Sequence, residues 1–378
     1  MAGHSRVDLL FDARHIRQSG IGTYISTELP HLEAVFADRG LVLAVLVDRD
    51  KMPHLRATTR VVESRPANAP MYSRHEQRAW NAALAEIRPR SMWVPHYPFP
   101  LALLRPRNRR TRFFVTVHDL LHVQSGDVTG QNSAFRAYAR TMLNLDVRRA
   151  ARIFTPSHTT AGSLTAVAPA APVTVTPLPV EQTWFTAADL AASPVAGRYV
   201  LYVGNTKWHK NLTVLLKAFG DVARSLPQNL VIAGGGALVK NSDERVDQLV
   251  DAQADRVRIV GRVDFASLRA LVAGADLLVM PSLYEGVGLP PLEAMASHTA
   301  VLASNIPSLR ETCGDGADYF DPHDDGTLGE LLVRYGTDDA ARDELAERGW
   351  ARVTQRQDGI SLTAAAEVVC AELAGAPL

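Results

Sequence analysis

A chain of 378 residues, 47% hydrophobic and 21% charged, has the composition of a soluble α/β protein and is long enough for two domains with cores of their own. Forty Lys and Arg balance forty Asp and Glu, and nucleic acid is not an expected partner. The two cysteines, Cys313 and Cys370, match neither a metal spacing nor a disulfide framework, and no apolar run reaches the length of a membrane span. A reducing cytoplasm is the expected location.

The charge is divided unevenly. Residues 1–189 hold 23 Lys and Arg against 15 Asp and Glu, and the rest of the chain has the reverse excess. Such asymmetry suggests an anionic partner for the N-terminal half, or chance clustering.

Val7 to Phe11 predicts a first strand. After Asp12-Ala13-Arg14 comes a loop closed by Gly20-Ile21-Gly22-Thr23-Tyr24, then an apparent helix. The third glycine of a dinucleotide fingerprint is missing, so Gly20 and Gly22 line either a ligand loop or a plain strand–helix connection. Leu41 to Val47 predicts a strand buried on both faces. Residues 51–70 carry no clear signal. Tyr72 to Ile87 looks helical, and Met92 to His96 looks like a short strand. Five arginines (Arg105, Arg107, Arg109, Arg110 and Arg112) precede the strand Phe113 to Val117. They suit a solvated loop or a patch for an anionic membrane. His118 stands at the carboxyl end of that strand, where open α/β sheets bind ligands, and Asp119 suits a loop-orienting role. A helix is expected over Ala134 to Ala150, and Ser157 is placed to cap the next one. Residues 181–197, polar and Ala-rich, suit a connection between domains.

From Tyr199 a fresh strand–loop–helix pattern begins. Its first loop is Gly204-Asn205-Thr206-Lys207-Trp208-His209-Lys210-Asn211. Later strands end at Gly234-Gly235-Gly236 and at Gly261-Arg262-Val263. The apolar run Leu277 to Met280 leads into Tyr284-Glu285-Gly286-Val287-Gly288-Leu289-Pro290-Pro291-Leu292-Glu293. Gly286 and Gly288 permit backbone conformations closed to other residues, and the prolines suit the first turn of a helix. Strand, glycine loop and helix N-terminus together suit an anion. The bracketing carboxylates Glu285 and Glu293 suit sugar hydroxyls. A last helix is expected over residues 361–373.

The run from Glu285 to Glu293 resembles the E-x7-E signature of retaining glycosyltransferases of family four. The loop from Gly204 resembles that family's VGxxxPRKN, and the run ending His118-Asp119-Leu120 its VT[VI]HDL. The resemblance covers most of the chain. It implies the GT-B fold, with two Rossmann-like, doubly wound parallel-sheet domains facing a cleft. Residues 1–185 would bind the acceptor and 186–360 the nucleotide-sugar, with 361–378 crossing back toward the first domain.

By the same resemblance, Lys210 binds the donor diphosphate, with Asn205 and His209 in the same loop. Gly261, Arg262 and Val263 lie against the base. Glu285, Gly286, Val287, Gly288 and Leu289 meet the sugar and diphosphate, and Glu293 meets the ribose. Gly20 and Gly22 face the ligand, and His118 lies beside the transferred sugar. His118, Lys210 and Glu285 are the implied catalytic residues, with no metal and no cofactor beyond the donor. His209 and Trp208 depart from the family's arginine and proline.

The implied activity is metal-independent, retaining transfer of a hexose. The lean is toward mannose from GDP-mannose, passed to a glycan or lipid-linked acceptor in polysaccharide assembly, peripherally at the inner face of the membrane if the arginine run binds lipid. An inactive nucleotide-sugar-binding subunit, or an epimerase or phosphorylase on the same fold, are the other readings.

Overall fold

The structure is a computed structural model and describes residues 6–18, 20–123, 133–234 and 244–375. It divides into two compact units. Residues up to Val123, Ser133–Pro179 and the segment from Ile360 form the first, and Val180–Gly359 lie in the second.

The sheet of the first unit has seven parallel strands. These are β1 (Leu9–Asp12), β2 (Leu43–Val47), β3 (Arg60–Glu63), β4 (Ser91–Val94), β5 (Arg112–Thr116), β6 (Ala150–Thr155) and β7 (Val173–Val175). Their spatial order is β3-β2-β1-β4-β5-β6-β7, so the winding direction reverses between β1 and β4. All residues of β1, β2 and β4 are buried, as parallel strands covered by helices on both faces must be.

The strand β3 corrects the blank expected over 51–70. It is an edge strand in which Val62 alone is buried, so it shows no apolar run. Pairing with β2, Ala44 opposite Arg60, defines it instead.

The helix Arg74–Ile87 is capped by Ser73, whose hydroxyl accepts the Glu76 amide at 3.1 Å. It buries Ala79, Trp80, Ala83, Leu84 and Ile87, with Glu76 on the same face. Ser157 caps His158–Val167 as expected. The final helix, Ala364–Ala374, belongs to the first unit, where Glu372 meets Arg112 at 3.1 Å and Arg152 at 2.9 Å. Arg112 of the arginine run is therefore engaged within the fold.

The sheet of the second unit has six parallel strands, in the spatial order Val257–Gly261, Asn229–Ala233, Tyr199–Val203, Leu277–Met280, Ala300–Ser304 and Asp318–Phe320. They are β8 (Tyr199–Val203), β9 (Asn229–Ala233), β10 (Val257–Gly261), β11 (Leu277–Met280), β12 (Ala300–Ser304) and β13 (Asp318–Phe320). Alternate residues feed two cores. Val200, Leu230, Leu277 and Val279 point to one, and Leu201, Val231, Leu278 and Met280 to the other. Within 181–197 the chain is not simply a polar connection, because Trp184 is buried in the second of these cores. Gly235 and Gly236 lie outside the described residues. Among the described residues, no helix is long and apolar enough to cross a membrane.

Gly22 sits in the first turn of the helix Ile21–Asp38, under the loop that follows β1. A Cβ there would lie 2.4 Å from the Ile16 carbonyl oxygen, and backbone would have to move. Gly22→Ala is expected to destabilise the protein by about 2 kcal/mol, as overpacking does. Urea unfolding reads this as a lower midpoint at unchanged slope. A midpoint equal to the parent's would refute the close approach.

Candidate active site

In the second unit the winding reverses between β8 and β11. At such a point the loops after the two strands diverge and leave a crevice at their carboxyl ends. The loop after β8 ends in a turn, Trp208–Lys210, and the loop after β11 carries Glu285. The two loops are fastened together. The Leu283 amide donates to the His209 carbonyl at 2.8 Å, and the Asn211 side-chain amide to the Pro281 and Pro322 carbonyls at 3.0 and 2.7 Å. Asn211 holds a left-handed φ of 53°, which turns the chain into the helix Leu212–Val222. Across this junction Lys210 Nζ meets Glu285 Oε1 at 2.6 Å, and the Ser282 hydroxyl donates to the same oxygen at 2.6 Å. Two residues expected to contact different parts of a ligand are thus a partly buried ion pair.

The glycine loop continues into the helix Leu289–Ala296. Gly288 has φ +82°, and a Cβ there would lie 2.5 Å from Leu309 Cδ2, so glycine is required. Val287 is buried, and its carbonyl accepts the Thr312 hydroxyl at 2.6 Å. Pro290 and Pro291 have no N–H, so the first turn of this helix offers fewer backbone donors than a helix N-terminus usually does. Glu293 follows on the same helix. Burial pushes its carboxyl up to about 7, and the charge of Glu181 adds to the rise.

Asn205 shapes its own loop, its carbonyl accepting the Tyr202 hydroxyl at 2.6 Å and its Oδ1 the Lys207 amide at 3.1 Å. Gly261, at φ +67°, accepts the Gly234 amide at 2.7 Å, with Arg262 exposed and Val263 half-buried after it.

The first unit has its own cluster where β1 and β4 diverge. Gly20 is exposed at φ +74° and Gly22 lies beneath the loop. The Arg14 guanidinium donates to both oxygens of Asp12, at 2.9 and 2.7 Å, with both side chains fully buried. Burial pushes the Asp12 carboxyl up, but the Arg14 charge and hydrogen bonds outweigh it and hold it below the usual range. Glu76 Oε1 accepts from His96 Nε2 at 2.9 Å and His15 Nε2 at 3.4 Å. Its Oε2 accepts the Tyr72 amide at 2.8 Å.

His118, after β5, is half-buried against the edge of Tyr24, with ring centroids 4.9 Å apart. Its Nε2 lies 2.8 Å from the Pro95 carbonyl, which can only accept, so Nε2 carries the hydrogen and Nδ1 is left as an acceptor. Burial holds the imidazole below its ordinary pKa, so it is neutral at pH 7. Asp119 accepts the Leu121 amide at 2.9 Å, the loop-orienting role expected of it.

His15, Glu76 and His96 are also the one group of potential metal ligands found among the described residues, with ligand atoms within 4.8 Å of one another. Their surroundings do not suit a cation. The Arg14 guanidinium lies 3.8 Å from the Glu76 oxygen that would coordinate. A metal-bound His96 would also need a partner for its other ring N–H, and His96 Nδ1 is buried without one.

Residues 191–352 match the glycosyl transferases group 1 family, and residues 19–183 match glycosyltransferase family 4. The chain belongs to the family 4, group 1 glycosyltransferases. It is 32% identical over 212 residues to the O-antigen chain mannosyltransferase RfbU of Salmonella typhimurium, a match covering 56% of this chain and 57% of that one. It is 33% identical over 199 residues to the glycogen synthase of Mycobacterium tuberculosis, covering 50% and 47%. The matches therefore span about half the length of these relatives. The sucrose-phosphate synthase of Thermosynechococcus elongatus shares the fold with a TM-score of 0.78 at 20% identity, covering 98% of this chain and all of that one. Anabaena HepE, solved with UDP-glucose, gives 0.71 at 16%, with the same coverage. The two doubly wound sheets are those of the GT-B class.

In this glycosyltransferase the sequence motifs located both loops of the second unit but missed the buried cluster of the first. A signal was present. Glu76 shares the spacing of Ala79, Trp80, Ala83 and Ile87, which puts a carboxylate on the apolar face of a helix.

The raised pKa of Glu293 has a stability consequence. A carboxyl near 4.5 in the unfolded chain and about 7 in the fold favours folding fully below pH 4.5, and that contribution is lost as pH rises toward 7. Because Glu293 is not wholly enclosed, the loss is expected to be on the order of 1 kcal/mol. Glu293→Gln should therefore gain stability relative to the parent between pH 5 and 7.5, read as a widening difference in Tm. A constant difference across that range would contradict the assignment.

Proposed function

We propose that this glycosyltransferase moves mannose from GDP-mannose to a hydroxyl of a glycan or lipid-linked acceptor, with retention at the anomeric carbon and without a metal ion. The observation that carries this reading is the Lys210–Glu285 pair, seated beside the glycine loop at the switch point of the second sheet. The relatives named as O-antigen mannosyltransferases support the choice of sugar, and the UDP-glucose of HepE supports a nucleotide-sugar as the ligand class.

In the reaction the bond from the anomeric carbon to the diphosphate breaks, and its electron pair leaves with the nucleoside diphosphate. The acceptor oxygen bonds the same face of that carbon, and its proton goes to the departing phosphate. No protein nucleophile is required. The developing charge falls on the diphosphate, where Lys210 and the amides from Gly286 to Leu289 stabilise it, so preorganised electrostatics carries the rate. A fixed ammonium beside backbone donors supplies the positive field that a metal ion would otherwise provide. Glu285 has two tasks. It steadies the Lys210 ammonium, and its remaining acceptor capacity takes hydroxyls of the transferred sugar. Glu293 takes the ribose hydroxyls, and Gly261, Arg262 and Val263 face the base. His118 offers Nδ1 to a sugar hydroxyl.

A thermal-shift screen with GDP, UDP, ADP and dTDP, followed by turnover of GDP-mannose, tests the reading. Stabilisation by GDP and mannose release or transfer are expected. A preference for another base would overturn the donor, and turnover of no nucleotide-sugar would leave a binding subunit.

Lys210→Ala is expected to lower kcat/KM roughly a hundredfold, the loss of about 3 kcal/mol of charge stabilisation. Lys210→Arg should recover part of it, since the two cations differ in shape and hydration. The alanine variant also strips Glu285 of its partner, so its melting must be recorded alongside. Parent-like turnover by a folded Lys210→Ala protein would sink the assignment.

A lipid-linked acceptor is supported by the surface around the arginine run. Leu101 and Leu104 are 42% and 45% exposed, next to exposed Arg109 and Arg110. Arg105 and Arg107 are steadied by Asn81 Oδ1, at 2.7 and 3.1 Å. Apolar side chains flanked by arginines suit an anionic bilayer surface. Binding to phosphatidylglycerol vesicles should weaken with salt and fall in a Leu101/Leu104/Arg109/Arg110→Ser variant. Equal binding by that variant would leave a solvated loop.

A further inference from the structure

The buried cluster at the β1/β4 switch point has no task in the proposed reaction. All its side chains lie in the first unit, and its centre is Glu76, which is fully buried. Four groups converge on this carboxylate: the His96 ring, the His15 ring, the Tyr72 amide and, at 3.8 Å, the Arg14 guanidinium. Burial pushes the Glu76 carboxyl up, but the hydrogen bonds from His15 and His96 reverse this and hold it below its ordinary value. Glu76 is therefore an anion that accepts Nε2–H from both histidines. His15 Nδ1 is matched by the Gln18 side-chain amide at 3.0 Å. Such a carboxylate is not needed to hold the helix Arg74–Ile87 on the sheet, which the neighbouring Trp80, Ala83 and Leu84 do. What it fastens is chain that leaves the sheet: the loop after β1 through His15, and the loop after β4 through His96.

The second of these loops reaches His118. The residue before His96 is Pro95, whose carbonyl accepts the His118 Nε2–H at 2.8 Å. The adjacent Gln77 pins the same loop further on. Its amide donates to the Phe99 carbonyl at 3.0 Å, and its Oε1 accepts the Leu101 amide at 2.8 Å. One end of one helix thus sets the position of the carbonyl that decides which nitrogen of His118 carries the hydrogen. Without that carbonyl a neutral imidazole would distribute its hydrogen between the two nitrogens. Only the Nε2–H form leaves Nδ1 as an acceptor.

We propose that Glu76, acting through His96 and the Pro95 carbonyl, is the positioning residue that fixes His118 in the Nε2–H tautomer and so presents Nδ1 as acceptor to a hydroxyl of the reacting sugar. The role given to the Nδ1 atom rests on the proposed function. The tautomer does not.

The test labels the histidines of the full-length protein with 15N and reads both ring nitrogens of His118 by NMR, in the parent, Glu76→Gln and His96→Gln. The His118 signals are assigned by their loss in His118→Ala. GDP dissociation constants and GDP-mannose kcat are measured on the same samples. In the parent His118 should show a protonated Nε2 and a bare Nδ1. In both variants the two nitrogens should move toward averaged values, and kcat should fall about tenfold while GDP binding stays within twofold of the parent. His96→Gln is included because Glu76→Gln removes the centre of a buried network and can fail to fold. The His96 variant leaves Glu76 with His15, the Tyr72 amide and Arg14. A folded His96→Gln protein with the parent's His118 signals and kcat overturns the proposal. Stoichiometric zinc in the parent that is lost in His96→Gln also overturns it, by making the cluster a metal centre. A His118→Ala protein with parent kcat would instead remove His118 from the reaction, while the tautomer measurement would still decide whether Glu76 sets the ring.

Discussion

Each sheet of this protein is subject to one constraint. Where a doubly wound sheet reverses direction, the two central strands send their connections to opposite faces, and nothing in the backbone covers the strand ends between them. Side chains must supply the polar partners there. In the second unit they are Lys210, Ser282 and Glu285, between the ends of β8 and β11. In the first they are Asp12, Arg14, His15, Glu76 and His96, between β1 and β4. Sites form where the fold leaves charge and hydrogen-bonding capacity concentrated.

The two clusters answer the constraint differently. That of the second unit is partly open, with Lys210 16% and Glu285 10% exposed, and it holds one cation and one anion that an entering ligand can share. The prolines that follow the glycine loop sharpen this. By removing N–H groups from the first helical turn, they leave it fewer backbone donors than a helix N-terminus usually has. The cluster of the first unit is closed. Its carboxylates are held by its own cations and imidazoles, although His96 Nδ1 is left without a partner, and a buried carboxylate surrounded by two imidazoles and a guanidinium costs less than one left alone. Its exposed consequence is displaced to His118, which inherits a defined tautomer from the loop that the cluster holds.

Much of the second unit was legible because its information is local. Strand, glycine loop and helix follow one another within about twenty residues around Glu285, and the loop from Gly204 to Asn211 is as compact. Apolar runs such as Leu277 to Met280 announce strands buried on both faces, and Ser157 announced its cap. The edge strand β3 was invisible for the same reason. With a single buried residue, it exists only because β2 offers it a ladder of backbone partners. Trp184 was likewise hidden within a stretch whose polar and Ala-rich composition suggested a connection.

The sequence by itself determined the strand–loop–helix rhythm, the glycines that two close approaches demand, and the motifs that place the chain among the family 4 glycosyltransferases. These follow from the period of the apolar residues and from chemistry confined to one loop. Only the tertiary structure decided which charges meet. Lys210 and Glu285 are 75 residues apart, and Glu76 gathers His15 from 61 residues before it and His96 from 20 after it. Such pairings depend on strand order and register, which no local pattern encodes. The same holds for His118, whose ring nitrogens are told apart by the carbonyl of a proline on another strand's loop.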